Sequence, residues 1–163
     1  MANRMVLAVA LTLAACTSSG GGEVSSTPTP PPAETPYGVT RVLSETDARR
    51  LLENKGVTLQ WIDWNTRGTA IVEPAEDAYW HLRAAQSEAG GPGRVFLDGD
   101  IVEIGEGYFT FDGTVRITDT PDRGRNCEAD KTWHFAVTQN RPYYRLREFE
   151  WCDGLTDYVD IYF

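Results

Sequence analysis

From Arg94 to Phe163 the chain alternates short apolar–polar stretches with turn signals, a rhythm that suits antiparallel strands and not helices. Asp98-Gly99 lies between Val95-Phe96-Leu97 and Ile101-Val102, and Asp112-Gly113 lies between Phe109-Thr110-Phe111 and Thr114–Ile117. Asp-Gly supplies the positive φ angles of a two-residue type I′ turn. With Gly105-Glu106-Gly107 as the link, Arg94–Thr118 is expected to be a four-strand meander. A polar loop, Asp119–Asn126, follows. Thr132–Thr138 and Tyr143–Trp151 then read as a hairpin around Gln139-Asn140-Arg141-Pro142, with Thr138 opposite Tyr143. The final strand, Asp157–Phe163, places Val159, Ile161 and Phe163 on one face.

The earlier part supplies one helix. Ser44 is a good N-cap, Glu45 and Asp47 suit a first turn, Ala48, Leu51 and Leu52 form an apolar stripe, and Gly56 is placed to end it. Val57–Trp64 is expected to be a strand covered on both sides, with a turn at Asn65–Gly68 and a short strand at Thr69–Val72. Residues 74–91 suit either helix or strand; alternation of Trp80, Leu82 and Ala84 favours a strand over Tyr79–Ala85. The expected fold is mainly β: a small antiparallel barrel or strongly bent sheet with one N-terminal helix, which hides the sheet edges.

The N-terminus has a different character. Arg4 precedes the uncharged apolar run Met5–Ala14, too short to span a bilayer as a helix, which takes about 20 residues. Leu13-Ala14-Ala15-Cys16 resembles a bacterial lipobox. The resemblance implies removal of residues 1–15, a diacylglycerol on Cys16 and anchoring in a membrane. Thr17, rather than Asp, follows the cysteine, which in enterobacterial lipoproteins favours the outer membrane. Residues 16–36 form a Ser/Gly/Pro-rich tether with too little apolar surface to fold. The expected folded domain is 37–163.

Of 24 acidic and 15 basic residues, only Glu23, Glu34 and Arg4 lie outside 37–163, so that part carries 22 acids against 14 bases, a net −8. Nucleic acid demands the opposite footprint. An acidic surface serves solubility and also attracts a basic protein partner. With Cys16 lipidated, Cys127 and Cys152 remain as an even pair in an oxidising compartment. The hairpin register brings them nearly opposite each other, so a disulfide is expected. There is no CxxC and no third or fourth ligand at zinc spacing. Asp119–Asp130 lacks the EF-hand spacing. No cofactor or metal is expected.

The folded part resembles small uncharacterised lipoproteins of proteobacteria in Gly56-Val57-Thr58-Leu59-Gln60-Trp61, Phe135-Ala136-Val137-Thr138-Gln139-Asn140 and Leu146-Arg147-Glu148-Phe149-Glu150-Trp151-Cys152-Asp153. In outline it is also similar to lipocalin-like (calycin) barrels. Thr156-Asp157-Tyr158 matches a lipocalin tripeptide, whereas the Gly-x-Trp of the first lipocalin strand is absent at the start of the domain. The first resemblance implies an envelope lipoprotein and no particular reaction.

Chemistry is sparse. Ser44 and Ser87 are the only serines from 37 onward, and Ser44 is explained as a cap, so serine catalysis lacks a nucleophile. Carboxylates are plentiful enough for glycoside hydrolysis, although most sit at turns. Regular alternation of Tyr143–Trp151 puts Tyr143, Arg145, Arg147, Phe149 and Trp151 on one face, where aromatics and arginines could meet a ligand. A β-bulge near Arg147 would instead turn Leu146 and Phe149 inward. Trp133 and His134 lie on the facing strand. Trp133, His134, Tyr143, Arg145, Arg147 and Trp151 are therefore the candidate ligand-binding residues. The five tryptophans and seven tyrosines suit a sugar ligand such as peptidoglycan, and suit the core of a small β domain better. The expected role is a monomeric, non-enzymatic binding or accessory module of the cell envelope, anchored in the outer membrane and facing the periplasm. The alternatives are an inhibitor of a basic envelope enzyme such as lysozyme and a carboxylate-based glycan hydrolase.

Overall fold

The computed structural model describes residues 38–163; the lipobox, Cys16 and the tether lie outside the described residues. β1 (Arg41–Val42) leads into α1 (Glu45–Leu52), and Ser44 caps the helix by accepting the Asp47 amide at 3.3 Å. β2 (Val57–Leu59) is shorter than expected, because the amides of Ile62 and Asp63 turn back onto the Leu59 carbonyl. β3 (Thr69–Glu73) and β4 (Trp80–Ser87) follow, so the ambiguous segment is a strand. The remaining strands are β5 (Arg94–Gly105), β6 (Tyr108–Thr118), β7 (Asn126–Ala136), β8 (Tyr143–Leu146) and β9 (Val159–Tyr162).

Neither Asp-Gly dipeptide turns the chain. β5 and β6 run straight through them, and the single reversal is at Gly105-Glu106-Gly107, with Gly107 at φ +72. Gly99 and Gly113 are instead direct partners on the inward face. A Cβ on Gly99 would lie 2.4 Å from the Asp112 carbonyl oxygen and 2.6 Å from Gly113 Cα, and one on Gly113 would meet the mirror-image contacts. The Phe111 ring and the Trp133 indole fill the space beside them, the latter donating from Nε1 to the Gly113 carbonyl at 2.8 Å. The glycines permit close backbone approach inside a curved sheet, a use of strand glycine distinct from turning.

The sheet runs β2-β9-β8-β7-β6-β5-β4-β3, with β1 added in parallel to β5. It is a nearly closed antiparallel eight-strand barrel. Closure between the terminal strands rests on a reciprocal pair of backbone bonds, Gly68 N–H to Val57 O at 2.8 Å and Val57 N–H to Gly68 O at 3.3 Å. Gly56 makes this approach possible, since a Cβ there would sit 2.0 Å from the Gly68 oxygen. Past that point the ladder stops and one side chain takes over. Gln86, 3% exposed, accepts the Leu59 amide through Oε1 at 2.6 Å and donates through Nε2 to the carbonyls of Asp63 (2.9 Å) and Thr66 (2.6 Å).

Side chains fill the barrel interior. Trp133, Tyr144, Phe109, Phe111 and Phe135 are fully buried along with leucines and isoleucines from most strands. Phe109 stacks on Phe135 at 4.8 Å and meets Tyr144 edge-on at 5.4 Å. Helix α1 adds Ala48 and Leu51 to the core.

The helix also brings in a buried carboxylate. Asp47 accepts hydrogen bonds from Tyr144 Oη at 2.6 Å, Ser44 Oγ at 2.7 Å and Arg50 Nη1 at 3.0 Å. Burial pushes its pKa up, but the Ser44, Tyr144, Gly107 and Arg50 bonds outweigh burial and hold it below the ordinary value of 3.8. A depressed folded pKa adds stability that is complete above the unfolded value and lost as pH falls through the folded one. Asp47→Asn should therefore lose roughly 1–3 kcal/mol at neutral pH. The difference between variant and wild type should shrink steadily below about pH 4. Urea unfolding at several pH values measures this; a difference independent of pH would show that the carboxylate charge is not what Tyr144 and Arg50 recognise.

The second hairpin has the expected register at its start: Phe135 pairs with Leu146 and Ala136 with Arg145. The expected strand to Trp151 ends at Leu146, however, so Arg147, Phe149 and Trp151 leave the sheet and share no face with Arg145. Neither regular alternation nor a bulge describes this segment; it is a turn pinned by Arg147 N–H to His134 O at 2.8 Å and Asp157 N–H to Phe149 O at 2.6 Å. Cys127 and Cys152 form the disulfide, with Cα atoms 6.0 Å apart. In the chain-entropy picture a loop of this length contributes about 3–4 kcal/mol.

Candidate binding cleft

Along β2, β9 and β8 the residues between core positions point outward. Thr58 pairs with Asp160, Asp160 with Arg145, and Tyr143 with Tyr162. An outward aspartate on a barrel wall would ordinarily be wet, yet Asp160 is 0% exposed. The segments 60–67, 141–142 and 153–158 fold over this wall and leave a cleft of about 480 Å³ lined by Gln60, Trp64, Arg141, Tyr143, Arg145, Tyr158 and Tyr162.

Arg145 organises the floor. Its Nε and Nη2 donate to the two Asp160 oxygens, each at 2.7 Å, a bidentate fork that a lysine could not reproduce. The hydrogen bonds to Asp160 raise the pKa of Arg145, while burial pushes the Asp160 carboxyl upward against the pull of that guanidinium. The guanidinium also lies 4.0 Å from the Tyr158 ring centroid, 5.1 Å from Tyr143 and 5.6 Å from Trp64. A second arginine arrives from the hairpin turn: Arg141 Nη1 donates to Tyr143 Oη at 2.6 Å, and Arg145 Nη2 reaches the same oxygen at 3.3 Å. Arg67 stacks on Tyr162 at 4.1 Å at the rim. Beside Asp160, the fully buried Thr58 hydroxyl lies close to the Tyr162 phenol but makes no hydrogen bond of acceptable geometry.

The loop that forms one wall is tied from below. Asp157, fully buried, accepts from Arg125 Nη1 (2.9 Å) and Nη2 (2.8 Å) and from Trp61 Nε1 (3.0 Å), while Arg125 also forks onto Asp153. Those bonds, with Asp153 first, raise the Arg125 pKa. The tripeptide Thr156-Asp157-Tyr158 thus anchors through its aspartate and presents its tyrosine to the cleft.

The six residues expected to bind a ligand fall in three places. Tyr143 and Arg145 line the cleft. Trp133 is fully buried in the barrel and packs edge-on against Trp151 at 5.2 Å, so both serve packing. Arg147 is exposed on a separate shallow surface with Lys131, Glu148 and Trp151. His134 is exposed and its ring bonds Glu148, whose pKa burial pushes up but the His134 amide and ring bring below its ordinary value. Gln60, Trp64, Arg141, Tyr158 and Tyr162 were not singled out from sequence. The usable signal was in the last strand, where Tyr158, Asp160 and Tyr162 alternate with the apolar set and place an acid between two aromatics.

Across the barrel the outward face of β4–β7 is acidic. One rung runs His81, Asp100, Asp112, Thr132 and the next-but-one runs Arg83, Asp98, Thr114, Asp130. His81 touches Asp98 and Asp100, each at 3.0 Å, and Arg83 touches Asp98 at 3.0 Å.

The PM1083 family model matches residues 39–163, the whole barrel. The chain is similar to an uncharacterised protein, PM1083, of Pasteurella multocida, at 35% identity over 116 residues, which covers 70% of this chain and 74% of that protein. No solved structure matches the chain.

Proposed function

The chain belongs to the PM1083 family, and we propose that it is a lipid-anchored, non-enzymatic binding module of the cell envelope whose ligand site is the cleft on the β2-β9-β8 wall. One observation carries this reading. The barrel interior is filled, while an outer wall keeps a cleft with a buried ion pair as its floor and four aromatic side chains around it. Small-molecule sites often set aromatic walls around a few placed polar groups, and here four rings surround two guanidiniums and an amide. Aromatic faces and arginine forks suit a glycan of the envelope, and the resemblance of Leu13–Cys16 to a lipobox, followed by a tether-like composition, supports a site on the periplasmic side of the outer membrane. Among the described residues the one carboxylate at the cleft, Asp160, is buried and committed to Arg145, so the two free carboxylates that glycoside hydrolysis uses are not assembled there, which favours binding.

The test is retention on purified peptidoglycan sacculi. The protein should co-sediment without releasing soluble fragments, and Tyr158→Ala should lower retention at least about tenfold, the effect of losing one stacked aromatic worth ~1.4 kcal/mol. Fragment release abolished by a single acid-to-amide change would support the hydrolase instead. The acidic β4–β7 wall favours a second reading, an inhibitor of a basic envelope enzyme. A complex with a basic muramidase that forms at low salt and fades at high salt would support it.

A further inference from the structure

The cleft carries more positive charge than its own residues neutralise. Arg141 and Arg145 both donate to one neutral phenol oxygen, that of Tyr143, and the single carboxylate present, Asp160, is committed to Arg145. Arg67 adds a third guanidinium at the rim. Among the described residues Arg145 Nη1 and the Nε and Nη2 of Arg141 have no hydrogen-bond acceptor, so donors remain on both forks.

We infer that the cleft selects a sugar bearing a carboxylate, with the acid on the Arg141–Arg145 forks and the ring against Trp64 and Tyr158. A carboxylate offers two oxygens to two guanidiniums and cancels the charge that Asp160 leaves over. A dianionic phosphate would bring a second negative charge close to Asp160, which a monoanion does not. The volume, about 480 Å³, lies within the range for small-molecule sites and accommodates one or two sugar rings. This inference rests on the binding reading given above and adds the charge of the ligand to it.

N-acetylmuramic acid and N-acetylglucosamine test it, because they share a ring and differ by a lactyl carboxylate. Calorimetric titration of the full chain in detergent should show the acidic sugar bound at least about tenfold more tightly, the difference expected of one charge-assisted fork. Arg141→Gln should reduce the preference to within about threefold, whereas Trp64→Ala should weaken both sugars by a similar factor. Arg116→Gln, which removes an equal charge on β6, controls for net charge and should leave the preference intact. Arg145 is unsuitable for this test because its loss strands Asp160. Equal affinity for the two sugars overturns the inference and leaves glycan binding standing, as does retention on sacculi with neither sugar bound. Failure to bind either sugar or sacculi overturns both readings.

Discussion

Gln86→Ala should destabilise the fold by roughly 2–4 kcal/mol, a large part of the ~5–15 kcal/mol that holds a domain of this size together. The side chain replaces a strand ladder at the seam. Its Oε1 satisfies the amide of Leu59, a residue with no exposed surface, and its Nε2 satisfies two carbonyls of the 60–68 turn. Alanine leaves the buried Leu59 amide without a partner, worth about 1–3 kcal/mol, and gives the carbonyls of Asp63 and Thr66, which lie in a part-exposed turn, to water at a smaller cost. Urea unfolding should show a lower midpoint with little change in slope, and hydrogen exchange at the Leu59 amide should accelerate more than exchange in β5–β6. Gln86→Glu sharpens the result: it keeps the acceptor but turns an oxygen toward two carbonyls, so it should fail to rescue at neutral pH and improve on acidification. A loss below about 1 kcal/mol for Gln86→Ala would mean that water replaces the side chain at the seam.

Arg145→Ala should destabilise by about 3–5 kcal/mol, because a fully buried Asp160 is left without its cation. The sign of the pH dependence follows from burial. Without Arg145 the folded pKa of Asp160 rises further above its unfolded value, so the variant gains stability as pH falls toward the carboxylate range and loses it as pH rises. The destabilisation measured near pH 4.5 should therefore be smaller than at pH 7. Arg145→Met combined with Asp160→Leu should recover most of the loss, since a packed apolar pair often replaces a buried ion pair at little cost. If the double variant folds with near-wild-type stability and no longer binds sacculi, the ion pair is present for recognition rather than for the fold. Equal losses for Arg145→Ala at both pH values would contradict this account of Asp160.

The hairpin around Asn140 and its register were legible because both depend on local signals: two alternating stretches, a polar turn and a cysteine at each open end. The same local logic failed at Asp98-Gly99 and Asp112-Gly113. A glycine that supplies positive φ and a glycine that admits a facing backbone are the same letter, and only the β5–β6 pairing distinguishes them. The helix start at Ser44 was legible through its cap, whereas the extent of β2 depended on the Leu59 turn. The cleft was half legible. Tyr143 and Arg145 stood out as an aromatic–arginine mixture on a strand, but Asp160 becomes their partner through the β8–β9 register, and Gln60 and Trp64 arrive through the pairing of β2 with β9. Such long-range pairings leave no mark in any short stretch of sequence.

The cleft side of the barrel, where the exposed Arg67 and Arg141 flank β8 and β9, and the aspartate-lined wall of β5 and β6 lie on opposite sides by strand order. The molecule therefore carries an electric dipole across its short axis in addition to its net negative charge. Near a surface of negative potential it experiences a torque that turns the β8–β9 wall inward and the aspartates outward before any contact forms. The field reaches about one Debye length, ~8 Å at physiological salt. Added salt would thus relax orientation first and leave the contacts themselves to be weakened later.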